Sequence, residues 1–387
     1  MARFKPVQLG RKRLPVDRER QRLPGTFEYA RNDLVDHELD LSSLVSRYNN
    51  DEQGASAYSS AVLLKILLLA DSRGLVGWRR IEAARRENVT FIALSGDSQP
   101  HFIPLAAFVS DLGETAAALF AQVLPIGDRQ GLIGRERFAI DGGKLPSHAS
   151  KTKSGTRVDF IRRAQKREAA ARKMVEKHWQ AEAGGRNPAP MEREARQLVR
   201  LRAEAKRNLD WRAANPKDRE GAKGDVRLSH RTEHKSAKKA TGKGVIQGYT
   251  GVTAVDARAH LIGEAQAHGT GSEQEGLLPV VEATAPLRSF DTLITADAGY
   301  HREAKLKALA EAAIPALIAD TGMRARDEGR RRYGRRFVTV APVFGNLRGN
   351  KRRDRFTLRG QKKVDGQWKL HCLIRNLEKL AHHGYAE

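Results

Sequence analysis

The 387 residues carry 70 Lys/Arg against 46 Asp/Glu, a net charge of +24, with 40% apolar and 6% aromatic residues. Such a chain can bury a sizeable core in two or three domains, and its positive excess points to a polyanion, either nucleic acid or an anionic membrane surface. One cysteine, Cys372, excludes an internal disulfide and a cysteine-based zinc site, and the longest apolar run, AVLLKILLLA at 61–70, is too short to span a bilayer.

The cations are not spread evenly. Residues 151–243 hold 27 Lys/Arg and 12 Asp/Glu, and residues 324–363 hold 15 and 3, so two blocks carry the whole excess. The N-terminus is basic without an apolar signal core, which predicts a cytoplasmic protein with no membrane partner.

In chain order, residues 1–25 read as a basic, flexible arm. Residues 26–125 predict a helical domain: Leu41, Leu44, Val45 and Tyr48 recur at helical spacing, as do Leu63, Leu64, Leu67 and Leu68, before Gly74 and Gly77 break the pattern. ERFAIDGGKL (136–145) predicts a short strand through Phe138 and Ile140 that ends at Asp141-Gly142-Gly143. A basic helical insertion follows over 152–243, split near Gly184-Gly185, with a flexible KKATGKG stretch (238–244) at its end. Strands are predicted at 245–256 and 261–268. Ser272 with Glu275 forms a capping box that opens a helix. DTLITADAGY predicts a strand ending at Asp297, then come a helix with Leu306, Leu309 and Ala313 and a strand at PALIAD (315–320). The sum is a mixed α+β or α/β fold, with a second unit over 135–387.

Asp141 and Asp297 each end an apolar strand and precede small residues. Strand ends hold side chains rigidly, glycines admit another backbone, and two carboxylates so placed suit Mg²⁺, which keeps several waters and takes few protein oxygens. Taken singly, each is as well explained as a turn leaving a buried strand.

The blocks FAIDGGKLPSHASK, LITADAGYH, VAPVFGNLRG and WKLHCLIRNLEKL, in that order, resemble those of bacterial insertion-sequence transposases of the DDE, RNase H-like superfamily. YSSAVLLKILLLADSRGLVGWRRIEAARRENVTFIALSGD resembles their helical N-terminal domain. The resemblance runs from about residue 27 to 380. It implies an RNase H-like core whose three acids bind Mg²⁺ or Mn²⁺, cleavage at the element's terminal inverted repeats, strand transfer to target DNA, and a homodimer on DNA in the bacterial nucleoid. Asp141 and Asp297 match the first two acids. The third is a glutamate in a block reading Glu-Pro-Val-Phe-Gly, and here Ala341 precedes Pro342-Val343-Phe344-Gly345. The flanking pattern, Tyr333-x2-Arg336, then four residues before Ala341, then x6 and Arg348, keeps the family's frame with one extra residue.

A methyl group ligates no metal, so the resemblance implies a chain with little or no strand cleavage. The alternative is a non-catalytic DNA-binding protein of transposase descent; a remoter one is a basic RNA-binding protein. Asp327 and Glu328, read as loop residues, are weak substitutes for the missing acid. The expected DNA contacts are Tyr300 and His301, stacking on or bonding to a nucleotide, and the cationic run Arg331, Arg332, Tyr333, Arg335, Arg336, Arg348, Lys351, Arg352 and Arg353, gripping phosphates. The helices over 158–213 are further backbone-contact candidates, and Trp368 reads as core.

Overall fold

The computed structural model describes residues 17, 19–21, 23–48, 56–182, 191–221, 224–269, 274–320 and 327–385. The basic arm therefore lies largely outside the described residues, as does Ser272.

Among the described residues of the first third stand seven α-helices: α1 (Phe27–Asp33), α2 (Ser42–Val45), α3 (Ser60–Ser72), α4 (Trp78–Glu87), α5 (Val89–Ser95), α6 (Phe102–Leu112) and α7 (Thr115–Arg129). Side-chain caps start two of them. Thr26 accepts from Tyr29 N at α1, and Asn88 accepts from Thr90 N and Phe91 N at α5. Helix α3 is buried along most of its length and mostly apolar, with its two charged residues, Lys65 and Asp71, each met by an ion-pair partner. The stripe read at Leu41–Tyr48 shrinks to the single turn of α2, because only Leu44 is buried while Val45 and Tyr48 face solvent. Gly74 sits at φ +64, and a Cβ there would lie 2.7 Å from Asn350 O, so it serves both a left-handed turn and a close chain crossing.

The sheet begins with β1 (Arg137–Pro146). There follow β2 (Ser154–Gly155), helices α8 (Arg157–Glu182) and α9 (Met191–Ala214), which pack on each other, and the short strands β3 (Arg219–Glu220), β4 (Val226–Arg227) and β5 (Ser229–His230). Then come β6 (Ala237–Thr241), β7 (Gly244–Asp256), β8 (Ile262–His268), α10 (Leu277–Ala283), β9 (Leu293–Ala296), α11 (Glu303–Glu311), β10 (Ala316–Ile318), α12 (Asp327–Gly345) and α13 (Gln361–His382). KKATGKG is a tight hairpin between β6 and β7, Thr241 pairing with Gly244, instead of a flexible stretch. Helix α10 starts at Leu277 after a 3-10 turn, with Gly276 at its cap and no side-chain bond there.

Six strands form one sheet in the order β10-β9-β1-β7-β6, with β8 also on β7. The strands β9 and β10 run parallel to β1, whereas β7 is antiparallel to β1, β6 and β8. Alternation along β1 separates two cores. Phe138 and Ile140 face Val280, Val281 and Ile294 beside α10 and α11. Ala139 and Leu145 face the opposite core, which joins α3, α6 and α7 to α13. The N-terminal helices thus share their core with the C-terminal helix. Trp368 is fully buried there, its Nε1 donating to Val252 O at 3.1 Å.

Candidate active site

Asp141 does not end its strand. Residues Phe138 to Pro146 of β1 continue pairing with β7, and Asp141 lies opposite Thr253. What stops at this point is the pairing with β9, whose last parallel register is Ile140 with Ala296. Asp297 is the residue after Ala296, so the two aspartates emerge side by side where two parallel strands part. Asp297 caps a 3-10 turn, its Oδ1 accepting from Gly299 N at 2.6 Å.

By strand alternation Asp141 shares a face with Ala139, Gly143 and Leu145, and helix α12 lies against β1. Arg336 of α12 reaches it. Its Nη1 stands 3.5 Å from Asp141 Oδ2 and donates to Ile140 O at 3.2 Å, and its guanidinium lies over the Tyr333 ring at 5.3 Å. Two turns on, Phe344 covers Gly143: a Cβ on that glycine would approach the ring to 3.0 Å. The glycines after Asp141 therefore admit side chains, not a second backbone. Burial raises the Asp141 carboxyl above its ordinary range; Arg336 and the Gly142 amide oppose this, and the charge of Asp297 adds to it.

Ala341 is half-buried on α12, one turn before Phe344. Val340, four residues after Arg336, is fully buried. Asp327 and Glu328 open α12 rather than lying in a loop. Among the described residues no three His, Cys, Asp or Glu side chains stand together as a metal site.

Several expected DNA contacts are committed elsewhere. Tyr300 is 1% exposed and sits on the other face of β1, its hydroxyl against Gly142, so it presents no face for stacking. Lys351 is buried, donating to Ser72 O at 2.7 Å and pairing with Glu378. Arg353 pairs with Asp71 of α3. These two cations hold the chain after α12 onto the helical region. Arg336 is 6% exposed and occupied as described. Arg335, Arg348 and Arg352 are exposed and His301 is partly so; the side chains of Arg331 and Arg332 lie outside the described ones. The partners Asp71 and Glu378 were not singled out from sequence, although an aspartate closing the apolar run LLLAD is itself a signal that a buried cation must meet it.

Two family models match the chain: "Transposase domain (DUF772)" over residues 16–111 and "Transposase DDE domain" over 302–381. Both matches are to transposase domains, in the order expected of an insertion-sequence DDE transposase, and they support that kinship. No curated protein and no solved structure matches it. The DDE match takes in α11, β10, α12 and α13, and so contains Arg336 and Ala341; Asp141 and Asp297 precede it. The N-terminal match covers α1 to α6 almost entirely. Transposases of this family act on DNA, and no single helix among the described residues is long and apolar enough to cross a membrane.

Proposed function

We propose that this transposase has an RNase H-like core in which Asp141 and Asp297 are the first two acids, and that Ala341 leaves the third position empty of a carboxylate. The observation that carries this is the side-by-side emergence of Asp141 and Asp297 from parallel β1 and β9. The strand order supports the core reading: three antiparallel strands, β8, β7 and β1, continue into the parallel pair β9 and β10. So does Ala341, which lies on the helix that packs against β1 and β9.

The donor set fits one divalent cation that keeps most of its water, because Mg²⁺ is commonly held by one or two carboxylates. It does not make the three-acid set that a pair of metal ions needs. A divalent ion bound there would polarise a phosphoryl oxygen and acidify a bound water. The chain's own groups set up that position. Gly142 N donates to Asp141 Oδ1 at 2.9 Å and Gly299 N to Asp297 Oδ1, which fix both carboxylates, and Arg336 lowers the cost of charging Asp141. With alanine at 341 the chain binds DNA ends, as a homodimer that pairs them, and cleaves poorly or not at all.

The test is Mg²⁺-dependent cleavage of a duplex carrying the DNA that flanks the coding sequence. Ala341→Glu should cleave, while the parent and Ala341→Glu/Asp141→Ala should not. If Ala341→Glu binds the duplex and stays inert, the catalytic reading fails, and a purely DNA-binding protein of transposase descent is what remains.

A further inference from the structure

Away from the aspartates, helices α8 and α9 and the strands at their base enclose a cleft of about 600 Å³. Lys153, Arg163, Lys166, Arg167, Arg200 and Arg231 line it, against one carboxylate, Glu204. A second cleft of about 530 Å³ shares Arg167, Arg200 and Glu204 with the first and adds Arg193 and Arg196, so the two are neighbouring stretches of one groove.

The helical spacing explains how two helices build it. Arg163, Lys166 and Arg167 stand at i, i+3 and i+4 on α8. Arg193, Arg196 and Arg200 stand at i, i+3 and i+7 on α9, a stripe about 10 Å long at 1.5 Å per residue. Like charges facing one another across a groove cost free energy unless something neutralises them, and among the described residues only two of these cations have a carboxylate partner: Arg167 with Glu204 at 3.6 Å and Arg196 with Glu192 at 3.0 Å. Two of the cations are held in place. Arg163 donates to Ser154 O at 2.7 Å and Arg231 donates to Asn208 Oδ1 at 2.8 Å, while Lys153, Lys166, Arg167 and Arg200 remain exposed. The base is stiffened by Trp211, which packs on Phe160 and donates to His234 Nδ1 at 2.8 Å. A solvated helix face needs no such anchored, predominantly cationic concavity.

We propose that this groove is a phosphate-backbone site for duplex DNA, separate from the carboxylate pair and independent of metal. The choice of DNA rests on the transposase reading; the groove itself rests on its charge and shape. Its contacts are to phosphates, so they add affinity and orientation without reading sequence.

The experiment measures binding of a fluorescent 30-base-pair duplex by anisotropy in EDTA between 50 and 200 mM salt. It compares the full chain with Lys166→Gln/Arg167→Gln/Arg200→Gln, which spares the anchored Arg163 and Arg231. Three lost phosphate contacts should reduce the slope of log K against log salt by about 2.7, so over this fourfold salt range the variant's affinity should fall about 40-fold less than the parent's. Circular dichroism should be unchanged and the thermal midpoint should not fall. A variant slope equal to the parent's overturns the groove assignment, whatever the cleavage result with Ala341→Glu. Parent binding that lacks salt dependence also overturns it, and a tenfold preference for a structured RNA of equal length overturns the assignment to DNA. Because EDTA removes metal, failure here is distinguishable from failure of the catalytic reading.

Discussion

Arg353 and Asp71 form a buried ion pair that ties the chain after α12 to helix α3, with their side chains 14% and 4% exposed. His371 of α13 joins them, its Nδ1 3.4 Å from Asp71 Oδ1. Removing one member of such a pair strands the other charge in a dry site, which costs about 3–5 kcal/mol. Arg353→Gln should therefore lower unfolding free energy by roughly that amount in urea titration, and Arg353→Gln/Asp71→Asn should recover much of it. A double variant as unstable as the single one would mean that packing, not charge, dominates here.

The same cluster sets a pH dependence. Burial disfavours the charged carboxylate of Asp71, but the charges of His371, Arg353 and Lys351 outweigh it and hold the group below its ordinary range. His371 is pushed down, chiefly by burial and despite Asp71. Both folded-state values lie below the unfolded ones, so in both cases the unfolded chain binds more protons on acidification and stability falls with pH. For His371 the loss begins as pH drops through about 6.5, and for Asp71 it is added near pH 4. The imidazoles of buried His230 and half-buried His268 are lowered too and share the sign. The thermal midpoint should fall from pH 8 to pH 5, and His371→Gln should flatten that fall by one proton's contribution. An unchanged slope in the variant would exclude His371 as one of the groups responsible.

The strand sequence was legible because apolar runs ending in Asp141 and Asp297 are local signals, and β1, β7, β8, β9 and β10 stand close to the expected segments. What local pattern did not show is partnership across the fold. Lys351 and Arg353 look like a solvated cationic run because their neighbours are cations; their carboxylates, Glu378 and Asp71, stand 27 and 282 positions away. Tyr300 follows Asp297 by three residues, yet the 3-10 turn carries it to the opposite face of β1. KKATGKG has the composition of a linker, but its two-residue turn is fixed by β6 pairing with β7. Charge density marks out cationic regions only, since burial decides which cations are free to meet a phosphate.

Arg336 is the counter-charge that makes a half-buried Asp141 tolerable. Its guanidinium also satisfies Ile140 O, where the β9 pairing has ended. Arg336→Met should cost about 1–3 kcal/mol, because a half-buried carboxylate and the Ile140 carbonyl lose their partner. Arg336→Met/Asp141→Asn should regain part of that stability while losing any Mg²⁺ affinity, read by isothermal titration. If Asp141→Asn brings no recovery, the arginine acts through Ile140 O and the stacked Tyr333 instead.

Gly142 separates the two faces of β1 beside the aspartate. A Cβ there would lie 2.6 Å from the Tyr300 hydroxyl and 2.8 Å from Thr250 Cγ2, both side chains almost fully buried. Neither neighbour can swing into solvent, so Gly142→Ala must move the strand or the ring, and overpacking of this kind costs about 1–3 kcal/mol. Tyr300→Phe removes the nearer clashing atom but leaves the Thr250 methyl, so it should relieve only part of the loss. The displaced strand also carries Asp141 and the Gly142 amide bonded to it. Gly142→Ala in an Ala341→Glu background should therefore lose cleavage further than its stability loss explains, with Tyr300→Phe restoring stability more than activity. Equal recovery of both in thermal and cleavage assays would show that the glycine serves only to seat the tyrosine.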